Sequence, residues 1–167
     1  MNAERRIIPF EERHLKEASE IYNHYVREST CTFTEHEVSV EEFREFVFFP
    51  DPRHGAFVIE NIFDSTLLGY CVLWMYKPRS AYRNTAEVSV YLKPDYTGKG
   101  IGREALEMLQ SFGKSNGMHA LLAGICSESI GSIKLFTRMG YAKVGHLKEV
   151  GFKFGRRLDV EFYEKIL

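Results

Sequence analysis

"TAEVSVYLKPDYTGKGIGREALEMLQ", Thr85–Gln110, changes its period partway along. At the start, Ala86, Val88, Val90 and Leu92 alternate with Thr85, Glu87, Ser89 and Tyr91. A period of two is that of a β-strand whose two faces meet different surroundings. At the end, Ile101, Ala105 and Leu109 fall on one helical stripe that continues to Phe112, with Leu106 and Met108 beside it. Arg103, Glu104, Glu107, Gln110 and Lys114 lie away from that stripe, and Gly113 and Gly117 mark its end. Between the two patterns Gly98, Gly100 and Gly102 alternate. The stretch reads strand, bare turn, helix.

Such a turn has two readings. It is a plain strand–helix connection, or it is an anion site. Glycines turn successive N–H groups to one side, and the following helix adds unpaired N–H groups and a partial positive charge. Lys99 and Arg103 add full charges nearby. The familiar nucleotide loops do not fit. No glycine here is followed by the Lys-Ser/Thr of a Walker loop, and the dinucleotide fingerprint would need glycine at Arg103. Its acidic residue on the next strand is also missing, since "HALLAGIC" occupies that strand.

Upstream, "RRIIPF" reads as a short strand ended by Pro9, and His14–Glu28 carries apolar residues at helical spacing. "SVEEFREFVFF" reads as a short helix with Ser39 as N-cap and Glu42 three residues on. "GAFVIE" and "LLGYCVLWMY" are strand-like. Downstream come the buried strand "HALLAGIC", the helix "SIKLFTRMG" stopped by Gly140, and a closing strand pair, "YAKVGHLKEVGFKF" with "RRLDVEFYEKIL". The order is β-α-α-β-β-β-α-β-α-β-β. With no repeat and no linker, residues 1–167 read as one domain.

A chain of 167 residues, 44% apolar, can bury an ordinary core. Its formal net charge of −1 supplies no global field for nucleic acid. No apolar run approaches the roughly 18 residues of a membrane helix. "MNAERRIIPFEERH" is too charged for a secretory signal. Cys31, Cys71 and Cys126 form no CxxC and are odd in number, so they read as reduced thiols of a cytoplasmic protein. The histidines show neither HxxxH nor HxH, so no metal is expected. His24, on a helix among aromatics, reads as a packed residue.

Thr97-Gly98-Lys99-Gly100-Ile101-Gly102 resembles the acetyl-CoA loop of the GNAT acyltransferases, Q/R-x-x-G-x-G/A, with Thr97 in the place of Gln or Arg. The element order resembles the GNAT order from end to end. "IYNHYVREST", "KPRSAYRNTAEVSVYLKP", "FTRMGY" and "VGFKFGRRLDV" look like the phosphinothricin and methionine sulfoximine/sulfone acetyltransferase branch, over nearly all of the chain. The resemblance implies an α/β (α+β) GNAT fold. It has a mixed, mostly antiparallel sheet of about seven strands flanked by about four helices.

It also implies chemistry. Acetyl passes from acetyl-CoA to an amine by direct attack, without an acyl-enzyme and without a metal. Val90, Tyr91 and Leu92 would bond pantetheine through main-chain groups, and Thr97–Gly102 would hold the pyrophosphate. A backbone N–H of the same strand would polarise the thioester carbonyl. Glu87, the lone acid of "TAEVSVYL", matches the general base of that branch; without the resemblance it reads as a solvent-facing strand residue. Arg79, Tyr82 and Arg83 would meet an amino acid's carboxylate or oxidised side chain, and Phe33 would form an apolar wall. Ser129 stands where many relatives place a cofactor-binding Asn. Phe136 stands where many place a Tyr that protonates the leaving thiolate; water or another residue would serve instead. The implied substrate is a small amino acid or analogue, and the implied assembly a homodimer. A protein or peptide N-terminus as acceptor, and a silent acyl-CoA-binding module, are the competing readings.

Overall fold

The computed structural model describes residues 5–167. Met1–Glu4, the start of the stretch read as lacking a secretory signal, lie outside the described residues. Among the described residues no helix is long and apolar enough to cross a membrane.

Among the described residues seven strands form one sheet: β1 Arg5–Pro9, β2 Gly55–Asn61, β3 Leu67–Met75, β4 Thr85–Leu92, β5 Ala120–Cys126, β6 Ala142–Lys153 and β7 Arg156–Ile166. Their spatial order is β1-β2-β3-β4-β5-β7-β6, so β7 inserts between β5 and β6. Every neighbouring pair is antiparallel except β4 and β5. Four α-helices cover the faces: α1 Leu15–Glu28, α2 Val40–Arg44, α3 Ile101–Ser115 and α4 Ile130–Arg138. The strands and helices follow one another in the expected element order.

Alternation in the strands decides which helices each face receives. Ala86, Val88 and Leu92 of β4 join Leu73, Leu121 and Ala123 in a core that takes up the stripe of α3, Ile101, Ala105, Leu106 and Leu109. The opposite face of the sheet, with Val58, Tyr70 and Val72, packs on α1 and on Phe43 of α2. Leu109 is fully buried in the first of these cores. Leu109→Ala should therefore destabilise the fold by about 2–5 kcal/mol. A thermal unfolding curve should show the midpoint falling by roughly 5–15 °C.

Local boundaries differ from the expectation in three places. The second helix is shorter than "SVEEFREFVFF", ending at Arg44, although Ser39 and Glu42 do form the expected reciprocal cap. Gly113 lies inside α3 instead of ending it; a side chain there would press on Leu73, Leu121 and Leu167. The helix stops at Asn116, followed by Gly117 at φ 78°. The fourth helix begins two residues before "SIKLFTRMG", at Ile130.

One irregularity makes room for function. β4 pairs with β3 along nearly its whole length, from Ala86 to Leu92. It pairs with β5 only at Thr85, Ala86 and Glu87. Beyond Glu87 the two parallel strands part, while β5 stays paired with β7 to Cys126. The main-chain edge of Val88–Leu92 therefore faces a gap in the sheet.

Candidate active site

A cleft of about 1180 Å³ opens at this gap. Its floor is Ser89–Leu92 of β4 against Gly124 and Ile125 of β5. One end is the Gly-rich turn: Thr97, Gly98, Gly100 and Gly102 line it, with Arg103 just inside α3. Gly98 has φ 72° and Gly100 φ 81°, left-handed values that side chains resist, and a Cβ on either would meet no atom within 4 Å. The turn is bare on its cleft side, and Gly100 is the N-cap of α3. The N–H groups of Ile101 and Gly102, the first two residues of α3, have no partner within the helix, and Gly102 lines the cleft. Arg103 pairs with Glu107 at 2.8 Å, and Lys134 and Arg138 line the cleft from α4.

The six loop residues divide. Thr97 turns its hydroxyl back to the Pro94 carbonyl at 2.9 Å. The Lys99 side chain is not a wall of the cleft; its ammonium lies over the Tyr96 ring, 5.3 Å from the centroid. Ile101 is 2% exposed and belongs to the core, so only its backbone can serve a ligand. Likewise the Tyr91 ring turns to the α1 face, stacked on Tyr70 at 5.3 Å, and leaves its main chain to the cleft. The Leu92 carbonyl accepts a hydrogen bond from the Tyr25 hydroxyl.

Ser129 is the N-cap of α4 and lines the cleft, with its Oγ 3.4 Å from the Cys31 Sγ. Cys31 is exposed, whereas Cys71 and Cys126 are buried. Phe136 forms part of the cleft wall and packs edge-to-face on Tyr141.

A second, smaller cavity of about 290 Å³ lies on the α1/α2 side of the sheet. Tyr22, Phe46, Tyr70, Val72, Trp74 and Tyr91 form its apolar walls, and Thr34 and Ser89 add hydroxyls. Ser89 borders both cavities, so they meet through β4. Glu87 lies two residues before Ser89 on the same face of β4 and is in the walls of neither cavity. It is half-buried, it faces Trp74 across the β3–β4 ladder, and its Oε1 is 3.8 Å from where a Cβ on Gly124 would sit. Burial raises its carboxyl above the ordinary glutamate value.

The residues expected to meet the acceptor are not gathered in either cavity's walls. Arg79 is exposed and precedes a short turn, Ser80–Tyr82, and Arg83 follows it. Tyr82 packs edge-to-face on Tyr76, with the Lys77 ammonium over both rings. Phe33 packs on β6 at Gly151, where a Cβ would fall 2.3 Å from its ring, so only glycine fits there. The adjoining loop is pinned by Lys153, 2% exposed, which donates to the carbonyls of Ser29 and Thr32 at 2.8 Å each and reaches that of Tyr25 at 3.5 Å. His24 packs edge-to-face on Tyr25.

A parted β4–β5 pair above a bare turn at a helix N-terminus defines an acyl-CoA-dependent transferase of the GNAT type. The family model for the acetyltransferase (GNAT) domain matches residues 7–161, and the chain belongs to that family. It is 34% identical to the phosphinothricin N-acetyltransferase of Streptomyces coelicolor over 99% of this chain and 98% of that one. It is 33% identical to the L-methionine sulfoximine/L-methionine sulfone acetyltransferase of Pseudomonas aeruginosa over 86% of this chain and 84% of that one. Its fold matches the phosphinothricin acetyltransferase of Sinorhizobium meliloti, solved with acetyl-CoA. The TM-score is 0.92, with 29% identity over 98% of this chain and 88% of that one. The chain is an acetyl-CoA-dependent N-acetyltransferase.

Proposed function

We propose that residues 1–167 act as one catalytic domain that moves acetyl to the α-amino group of a free amino acid or analogue of the phosphinothricin, methionine sulfoximine or methionine sulfone type. The observation that carries this reading is the junction at β4. The large cleft suits acetyl-CoA, the small cavity suits one small acceptor, and Ser89, which borders both, lies two residues along β4 from Glu87. A bound acetyl-CoA supplies an activated acyl group and a thiolate leaving group.

In this reading the main chain of Val90–Leu92 holds the pantetheine arm. The N–H groups of the Thr97–Gly102 turn hold the pyrophosphate, and Ser129 contacts the arm from α4. Lys134 and Arg138 add positive charge to the cleft, where Arg103 is paired with Glu107. Glu87 takes the proton of the incoming ammonium, which is mostly protonated at neutral pH and cannot attack until it is lost. Attack is direct, because bringing amine and thioester together at one strand edge removes the entropic cost of meeting. Phe136 has no proton to give, so the departing thiolate takes its proton from water. Arg79, Tyr82 and Arg83 form a basic, aromatic rim for the acceptor's carboxylate, and Phe33 stiffens the loop that carries Thr34. The protein works in the cytoplasm as a homodimer; the exposed apolar side chains of Leu147, Phe152 and Phe154 on and beside edge strand β6 supply a surface for the second copy.

The test is a thiol-release assay with purified protein, acetyl-CoA and methionine sulfone. Free CoA should appear only when the amine is present, with N-acetyl product in equal amount. Release without amine, or none with it, would sink the reading.

A further inference from the structure

We propose that the small aromatic cavity is the acceptor's side-chain pocket. We further propose that it selects amino acids with uncharged side chains, such as a sulfone, sulfoximine or thioether, over those ending in an anionic phosphinate. The inference rests on the acetyl-transfer reading above and adds to it the charge class of the acceptor.

Size comes first. At about 290 Å³ the cavity is at the small end for ligand sites and fits one short side chain. Its chemistry comes second. Five aromatic side chains and Val72 make most of its surface, and among the described residues no Lys, Arg or His lines it. The basic groups of the surroundings are directed elsewhere. The three N–H bonds of the Lys153 ammonium go to the carbonyls of Tyr25, Ser29 and Thr32. Arg79 and Arg83 are exposed on the turn outside its walls. Two residues before Ser89 on β4, and paired with Trp74 of the cavity wall in the β3–β4 register, stands Glu87, an acid.

The polar groups that do face the cavity are hydroxyls. Tyr22 Oη is 2.6 Å from Thr34 Oγ1 and 3.0 Å from Thr32 Oγ1, and Ser89 stands at the junction. Hydroxyls can donate to the oxygen of a neutral sulfone or sulfoximine. They cannot neutralise a phosphinate. An anion moved from water into an aromatic cavity without a counter-charge loses solvation that nothing replaces, and ionised Glu87 repels it further. The amino acid's own carboxylate has another place to go. Trp74, in the cavity wall, leads directly into the basic 77–83 segment.

The experiment compares kcat/KM for methionine sulfone, methionine and phosphinothricin with acetyl-CoA saturating. Methionine sulfone should exceed phosphinothricin by at least about tenfold. Trp74→Arg places a cation in the wall at a position already 42% exposed. It should cut that ratio by roughly fivefold or more by raising turnover of phosphinothricin. Thr34→Val should lower methionine sulfone more than methionine, which lacks the oxygens. Phosphinothricin used as well as the sulfone, or a ratio that Trp74→Arg leaves unchanged, overturns the proposal while the acetyl-transfer reading stands. If none of the three amino acids releases thiol, that reading itself falls.

Discussion

Glu87→Gln should lower kcat by about 10²–10³-fold, the range that a positioned general base contributes. The affinity for acetyl-CoA should stay within about twofold, since the cleft's phosphate and pantetheine surfaces do not include the carboxyl. The pH profile should change with it. Burial raises the Glu87 carboxyl, so the wild-type kcat/KM should fall on the acid side at a pH above an ordinary glutamate's, and this limb should vanish in the variant. A variant with unchanged turnover between pH 6 and about pH 9, the window where the carboxylate should act, would remove Glu87 from the reaction.

The same substitution has a stability signature of definite sign. A carboxyl whose folded pKa is raised binds its proton more tightly folded than unfolded. Its penalty is absent below the unfolded pKa and complete above the folded one. Glu87→Gln should therefore raise the melting temperature at pH 7–8 and leave it unchanged near about pH 4. A gain in stability joined to a loss of turnover is the pattern expected of a residue kept for chemistry. A solvent-facing strand glutamate would show neither.

Much of this architecture was legible because it rests on local rules. Alternation in "TAEVSVYL" assigned β4 and both of its faces, and the stripe in α3 assigned that helix's buried side. Glu87 and Ser89 could be put on one face by counting in twos. What alternation cannot show is where two distant strands stop pairing. The parting of β4 from β5 after Glu87 is a tertiary event, and the junction of the cavities follows from it. The aromatic pocket was hidden for the same reason. Tyr22 of α1, Phe46 after α2, and Tyr70 and Trp74 of β3 come from three separate stretches of the chain, and each reads locally as a core residue. Lys153 was hidden too, because nothing local marks a lysine that will be buried against the carbonyls of another segment. The basic 77–83 segment shows the converse. Its composition advertised an anion, while the structure leaves Arg79 and Arg83 on an exposed turn.

Gly100→Val should raise the KM for acetyl-CoA by roughly 10- to 150-fold, with kcat at saturation within about twofold of wild type. The residue holds φ 81° at the N-cap of α3, and a branched side chain in that region costs about 1–2 kcal/mol. The chain can relieve this by rotating the peptide, which turns N–H groups away from the cleft. Losing one hydrogen bond to a charged group forfeits about 1.5–3 kcal/mol, which is where the factor in KM comes from. Lys99→Ala is the contrasting case. Its ammonium rests over the Tyr96 ring and its side chain is not part of the cleft wall, so KM should change by no more than about twofold at moderate salt. Together the two variants separate a site made of backbone groups from one made of side-chain charge. If Lys99→Ala proved the more damaging, the phosphates would be held by lysine, and the left-handed glycines would be serving only the turn.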